Sequence, residues 1–190
     1  MTFETHAKTL LALELSQAHP SLMNPSPQLT NVLQFRRKLV PTVPEPVSID
    51  CHDELAPIEQ LWREFQKTAS TSAYSSFQWC AAWLKTVGAR IGATPRIVVG
   101  YDAIGHVAFI LPLQLRRRLG LTVVEFLGSP DMQCGFGLYH KDFRLQAPLW
   151  FEENLPRVLA TCGKFHVISL LDMPHSLGDA AHPLSKSFSV

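Results

Sequence analysis

YSSFQWCAAWLKTVG, residues 74–88, sets two tryptophans four apart beside a phenylalanine and a cysteine, all at helical spacing. Ser75 and Gln78 fit a capping box, in which each side chain satisfies a free backbone N–H at the other's end of the first turn. Tyr74 and Trp79 occupy the matching staple positions. Gly88 is expected to close the helix in the left-handed conformation. Phe77, Cys80, Ala81 and Leu84 make one apolar stripe, and Trp79, Ala82, Trp83 and Val87 make another. A surface helix needs one such face. Two predict contacts on both sides, so the partner of the second face decides the architecture.

Upstream, Pro57 suits the first turn of a helix carrying Ile58, Leu61, Trp62 and Phe65 at helical spacing. Val47 to Cys51 reads as a short strand before it, and Thr68 to Ser72 as a loop after it. Residues 1–46 differ in kind. Leu10, Leu11, Leu13 and Leu15 suit a short helix, but Pro20, Pro25, Pro27, Pro41, Pro44 and Pro46 follow. Proline at that density favours extended chain, so 1–46 is expected to be a mobile extension and 47–190 the folded domain. The basic run Arg36, Arg37 and Lys38 reads as part of a solvated linker.

Downstream, PRIVVGY (95–101) is predicted to pair with a strand from His106 to Leu115 across a tight turn at Asp102–Gly105. Val107, Phe109, Leu111, Leu113 and Leu115 alternate on one face of that strand. Pro112 lacks a ladder donor, which predicts an edge or a bulge there. A basic turn, Arg116–Gly120, leads into a strand from Leu121 to Leu127. A loop follows at Gly128–Asp131, and Gly135–Tyr139 forms a further short strand. Phe151, Leu155, Val158, Leu159 and Cys162 then predict a helix over 150–162, with Pro156 in its first turn or kinking it. FHVISLL (165–171) is the last predicted strand, and residues 174–190 show no further strong element. The fold class is α/β (α+β), a mainly antiparallel sheet flanked by helices.

Composition narrows the function. The 190 residues are 46% hydrophobic, enough for one domain with a core. A net charge of +1 makes no overall field for nucleic acid. No apolar run approaches the roughly 18 residues of a membrane span, and Glu4 and Glu14 make the N-terminus a poor secretory signal. Cys51, Cys80, Cys134 and Cys162 lack CxxC spacing, which suits a reducing, cytoplasmic setting.

Sites of chemistry are sparse. Cys162 and His166, or Cys134 and His140, would each need a second close pair to build a tetrahedral metal site, and none is present. These residues read as buried cysteines and surface histidines, as does His106 at its hairpin. Cys80 lies on the core stripe, where a thiol is inert packing. Arg117-Arg118-Leu119-Gly120-Leu121-Thr122 partly fits a loop that holds a coenzyme pyrophosphate, but a strand follows it where a helix N-terminus is needed. Gln133-Cys134-Gly135-Phe136-Gly137 has the wrong spacing. Asp131, Tyr139 and His140 sit at a strand–loop junction, a place where polar substrate contacts occur on a base of solvated loops.

SSFQWCAAWLKT resembles the F-x-x-W-x-x-x-W helix of CelD-type cellulose-biosynthesis acetyltransferase-like proteins, GNAT-superfamily members related to the FemAB-type tandem acyltransferases. Trp62, the hairpin Ile97–Tyr101 with Ile110–Leu113, Phe126-Leu127-Gly128 with Asp131, and the strand Phe165–Leu171 match in order, over about residues 47–173. The resemblance implies the N-terminal, substrate-side half of an acyl-CoA-dependent N-acetyltransferase, and so an incomplete GNAT-like fold. Acetyl-CoA would belong to the full-length family and not to this chain alone. The implied partners are a C-terminal GNAT half or another protein chain, and a small-molecule amine acceptor. A role in cellulose or exopolysaccharide production would follow, and substrate contacts would fall to Trp79, Trp83, Asp131 and Tyr139. The family's aspartate-tyrosine pair is absent, since Met132 follows Asp131. Trp79 and Trp83 would pack on the second half or line the cleft between halves. Alternatively, Trp62 and Phe65 cover them. A noncatalytic interaction module docking through Trp79 and Trp83, or a truncated product without independent activity, are the competing readings.

Overall fold

A computed structural model describes residues 45–188. The expected helix near Leu10, the basic run at Arg36 and all but the last two residues of the extension lie outside them. Pro46 is buried and Val47 N–H donates to Tyr101 C=O at 2.8 Å, so the described fold is anchored from its first residues.

Six strands form one sheet in the order β1 (Ser48–His52), β2 (Thr94–Tyr101), β3 (Val107–Arg118), β4 (Leu121–Phe126) and β6 (Val167–Ser169), with β5 (Leu138–Tyr139) also paired to β3. All pairings are antiparallel except β4 with β6, which run parallel. A 20-residue helix, α4 (Lys141–Ala160), makes the crossover between those two, as a parallel pair requires. Helices α1 (Glu59–Phe65), α2 (Phe77–Trp83) and the short α3 (Ala89–Ile91) lie between β1 and β2 in sequence. The result is a mixed α/β architecture with a mostly antiparallel sheet between helices.

Both sheet faces are buried. Val98, Phe109, Leu111, Leu113 and Phe126 pack with Phe143, Trp150, Phe151 and Val158 of α4. Ile97, Val99, Ile110, Leu127 and Leu138 pack with Ile58, Trp62, Phe77, Cys80 and Trp83. Two covered faces explain why β3 is a nearly unbroken apolar run where one covered face would leave polar alternates.

Pro112 therefore sits in a central strand, against the expectation of an edge or bulge. Its carbonyl accepts from Leu127 N–H at 3.0 Å, on the side of β3 away from β2. That side pairs with β5 at Phe109 and Ile110 and with β4 from Leu113 onward. The missing donor falls at the seam between two partners, past the last β3–β4 pair at Leu113 and Phe126, so its loss ends a ladder and does not interrupt one.

The helix at 77–91 corrects two expectations. Its cap is Ser76, whose hydroxyl accepts from Trp79 N–H, one residue later than predicted. Ser75 is instead buried: its hydroxyl donates to Phe136 C=O and its carbonyl accepts from the Trp62 indole at 3.1 Å. Gln78 pairs with Gln66, which caps Phe77 N–H. The staple contact survives, with Tyr74 and Trp79 edge to face at 5.2 Å. Gly88 does not end the helix. It lies in a π-helical turn, Leu84–Gly88, with helical φ, and a Cβ there would meet the Trp83 ring and Leu84 at 2.9 Å. The chain ends its helical course at Gly92, φ +67°.

Helix α4 starts nine residues earlier than predicted and contains both Pro148 and Pro156. His140 caps it, its Nδ1 accepting from Asp142 N–H at 3.3 Å. Residues beyond 171 are also structured, contrary to the expectation. A hairpin of β7 (Ser176–Leu177) and β8 (Ala180–Ala181) leads to buried His182 and Leu184. His182 Nδ1 accepts from Leu184 N–H, so Nε2–H donates to Gly135 C=O at 2.9 Å.

Candidate functional site

The loop after β4 meets the tryptophan face of α2. Trp83 is 6% exposed and donates its indole N–H to Asp131 Oδ2 at 2.9 Å. Trp79 stacks on Trp83 at 6.4 Å, nearly parallel, and its ring lies directly over Gly128, where φ is +114°. Only glycine accepts both that φ and that approach. Three of the four expected site residues thus come together, but in contact with one another. On the second face Trp83 is buried against the chain's own loop and offers no docking surface, while Trp79 and Val87 are half-buried and Ala82 is exposed. Trp62 packs on Phe77 at 5.7 Å in the same core as Trp83, with Phe65 and Trp79 against it.

Tyr139 stands apart from the other three. It is fully buried between Phe136 and Phe151, and burial pushes its hydroxyl far above the usual value. It packs the core and touches no solvent-facing surface.

Below the loop lies a polar network that the sequence reading missed. Gln114 and Glu125 are cross-strand partners, both at most 1% exposed. Gln114 donates to Glu125 Oε1 at 2.9 Å and to Ser129 C=O at 3.3 Å, while its Oε1 faces Gly128 N–H. Arg116 Nε lies 2.7 Å from Glu125 Oε1, and Arg118 Nη2 lies 3.1 Å from Oε2. Burial raises the Glu125 carboxyl, against the pull of Gln114 and Arg118. The only signal in sequence is Gln114, Arg116 and Arg118 alternating with Leu113 and Leu115.

Neither candidate cradle leads directly into the N-terminus of a helix. Leu119 and Gly120 form a two-residue hairpin turn, both at positive φ, between two strands, and Leu119 is fully exposed. That agrees with the basic-turn reading. In the 128–137 loop, the N–H groups of Ser129, Asp131, Met132 and Gly135 already donate to Phe126, Gly128, Gly128 and Asp172. Within 133–137 the N–H of Gly135 is thus committed to the fold, and the stretch leads into β5, where a pyrophosphate site needs a helix N-terminus. Among the described residues, no group of three His, Cys, Asp or Glu is placed to hold a metal, and no helix is long and apolar enough to cross a membrane.

An open groove of about 710 Å³ lies on the α1 side, lined by Pro57, Gln60, Leu61, Glu64, Phe65, Gly105, His106, Val107 and His140. His106 Nδ1 lies 3.7 Å from Asp102 Oδ2, too far for a hydrogen bond. His140 Nδ1 accepts from Asp142 N–H, so Nε2 carries the proton. Two imidazoles and a Glu64 carboxylate paired with Lys67 at 2.8 Å thus line the groove. His106 is exposed, in keeping with the surface reading, and His140 is half-buried; the groove they share is built from three distant segments.

These features define a mixed α/β protein with a self-sealed tryptophan loop and one histidine-bearing groove. No protein-family model matches the chain, and neither a curated protein nor a solved structure matches it.

Proposed function

We propose that this chain is the substrate-side portion of a GNAT-type, acyl-CoA-dependent N-acyltransferase, binding a small amine acceptor in the α1 groove. One observation carries the reading. Apart from the short helix at Ala89–Ile91 and the closing β7–β8 hairpin, the order β-α-α-β-β-β-β-α-β follows the expected succession of elements, and β4 and β6 form a parallel pair spanned by α4. The groove supports it chemically. Acyl transfer to an amine needs a proton acceptor beside the nitrogen, and the His106 imidazole lines the groove as the group for that role. An incoming ammonium would exchange with Lys67 for the Glu64 carboxylate, and Leu61, Phe65 and Val107 hold an apolar substituent. The coenzyme is assigned to residues outside the described fold, in a second half or another chain.

The test is histidine-ring NMR during titration with butylamine and then glucosamine. Saturable shifts at His106 and His140, with the other histidines still, are expected. Rings that stay unmoved throughout both titrations would contradict the groove assignment.

The interaction-module alternative is favoured by one different observation. Among the described residues, β6 pairs on one side alone, and Val167, Ile168 and Leu171 beside that edge are 39%, 38% and 56% exposed. An open apolar edge receives another strand. In this reading docking moves from Trp79 and Trp83 to β6. Ile168→Lys would then abolish self-association or co-purification of a partner, and an unchanged sedimentation profile counts against it.

A further inference from the structure

The β3–β4 hairpin carries features that the acyl-transfer reading does not use. The register of β3 with β2 ends at Leu115, opposite Thr94, so Arg116, Arg117 and Arg118 pair with β4 alone. Three residues of strand carry the hairpin end about 10 Å past β2. At its tip Leu119 is fully exposed, and Leu121 beside it is 45% exposed. A single exposed leucine is ordinary. This one also stands at φ +50°, at the first position of a two-residue turn whose geometry calls for Asn, Asp or Gly. Neither packing nor backbone preference accounts for a leucine there, which points to a use outside the fold.

Cations surround that leucine on both faces of the ribbon. Arg116 and Arg118 share a face with their partners Val123 and Leu121, and both reach Glu125 on it. Arg117, opposite Thr122, projects from the other face. The neighbouring edge adds Lys164, two residues before His166, which two hydrogen bonds of 2.8 and 3.0 Å tie to Thr122. Arg117 and Lys164 are exposed and, among the described residues, in no ion pair. No acidic residue occurs in 116–124 or 163–171. Four cations against Glu125 alone give this end a local charge of +3, where the whole chain carries +1.

Shape selects the partner. A flat protein surface laid on the ribbon would meet one face and leave the cations of the other in water. A headgroup layer entered tip first meets both faces at once. Apolar groups of a surface-bound element sit roughly 5–10 Å into such a layer, a depth within the projection of this hairpin. We propose that the β3–β4 hairpin is a peripheral docking element for a bilayer surface rich in anionic phospholipid. Leu119 and Leu121 form its apolar wedge, and Arg117, Arg118 and Lys164 meet the lipid phosphates. The Arg117 guanidinium can take a phosphate with two parallel hydrogen bonds. Arg116, held 2.7 Å from Glu125, anchors the base of the ribbon. The inference is independent of the α1 groove and of what binds there.

The experiment is co-sedimentation of the full chain with vesicles of phosphatidylcholine alone and of phosphatidylcholine with roughly one-third phosphatidylserine. Binding to the anionic vesicles only, weakening as salt is raised, is expected. Arg117→Gln removes a cation that holds nothing else and should weaken binding about five-fold. Leu119→Gly suits the turn, so it leaves the fold intact, and should weaken binding about ten-fold or more. Absence of binding to the anionic vesicles, or equal binding to both kinds, would overturn the proposal. So would anionic binding that both variants retain in full. A lipid-independent dimer that Leu119→Gly dissolves would give the tip to a second copy of the chain and overturn it as well.

Discussion

Trp83 donates its indole N–H to Asp131 across 2.9 Å, closing the loop after β4 onto the helix that precedes β2. The bond joins residues 48 positions apart and gives a buried indole its polar partner. Trp83→Phe should cost about 1 kcal/mol or more in urea unfolding, since it removes both the bond and packing. Asp131→Asn keeps an acceptor oxygen and should cost less. Equal losses would mean that the hydrogen bond contributes little.

Gly128 carries the stacked pair. Alanine there is strained by φ +114° and drives its methyl into the Trp79 ring. Gly128→Ala should lose about 1–3 kcal/mol and shift the tryptophan fluorescence. The same substitution at Gly105, where nothing lies within 4 Å of a Cβ, meets only the conformational penalty of φ +85° and should cost less.

Much of this architecture is readable in sequence. The β2–β3 and β3–β4 hairpins announce themselves through a Gly-bearing turn at 102–105 and through Leu119-Gly120, because local turn chemistry dictates them. Apolar periodicity places α1 and α2. It fails at α4, where two internal prolines argue for a shorter helix and tertiary packing overrides them. It also fails at Gly88, which is required for close approach to Trp83 and not for its backbone freedom. The tryptophan face is legible as two-sided, but its partner is not. The covering loop arrives from 45 residues away and owes its shape to Gln114, Glu125 and the glycine beneath Trp79.

Glu125 makes that loop's foundation sensitive to charge. Glu125→Ala leaves Arg116 and Gln114 without their buried acceptor and should cost about 3 kcal/mol or more. Glu125→Gln should be milder and should change the pH profile. The folded chain holds the Glu125 proton more tightly than the unfolded chain does. That contribution is therefore complete below about pH 4.3, the unfolded value, and lost as pH rises through the folded one. The difference between wild type and Glu125→Gln should run in that direction, as read from urea midpoints across pH. A difference constant across pH would remove Glu125 as a titrating group.

His182 works with the opposite sign. Burial lowers its imidazole, against the bond to Gly135. Its contribution is complete above about pH 6.5 and lost as pH falls through the lower folded value. His182→Gln should lower stability at pH 7.5 by about 1–3 kcal/mol and flatten the wild-type decline below pH 6.5. An unaltered decline would place the acid-sensitive group elsewhere.

The proposal that the coenzyme is held elsewhere rests on neither candidate cradle leading directly into a helix N-terminus, and on the Ser129, Asp131, Met132 and Gly135 donors being committed to the fold. Amide NMR of the full chain during titration with acetyl-CoA tests this directly. The Gly128, Gly135 and Gly137 amides should hold their positions up to roughly millimolar ligand. Saturable shifts of those amides at micromolar acetyl-CoA would place the cradle inside this loop and contradict the account.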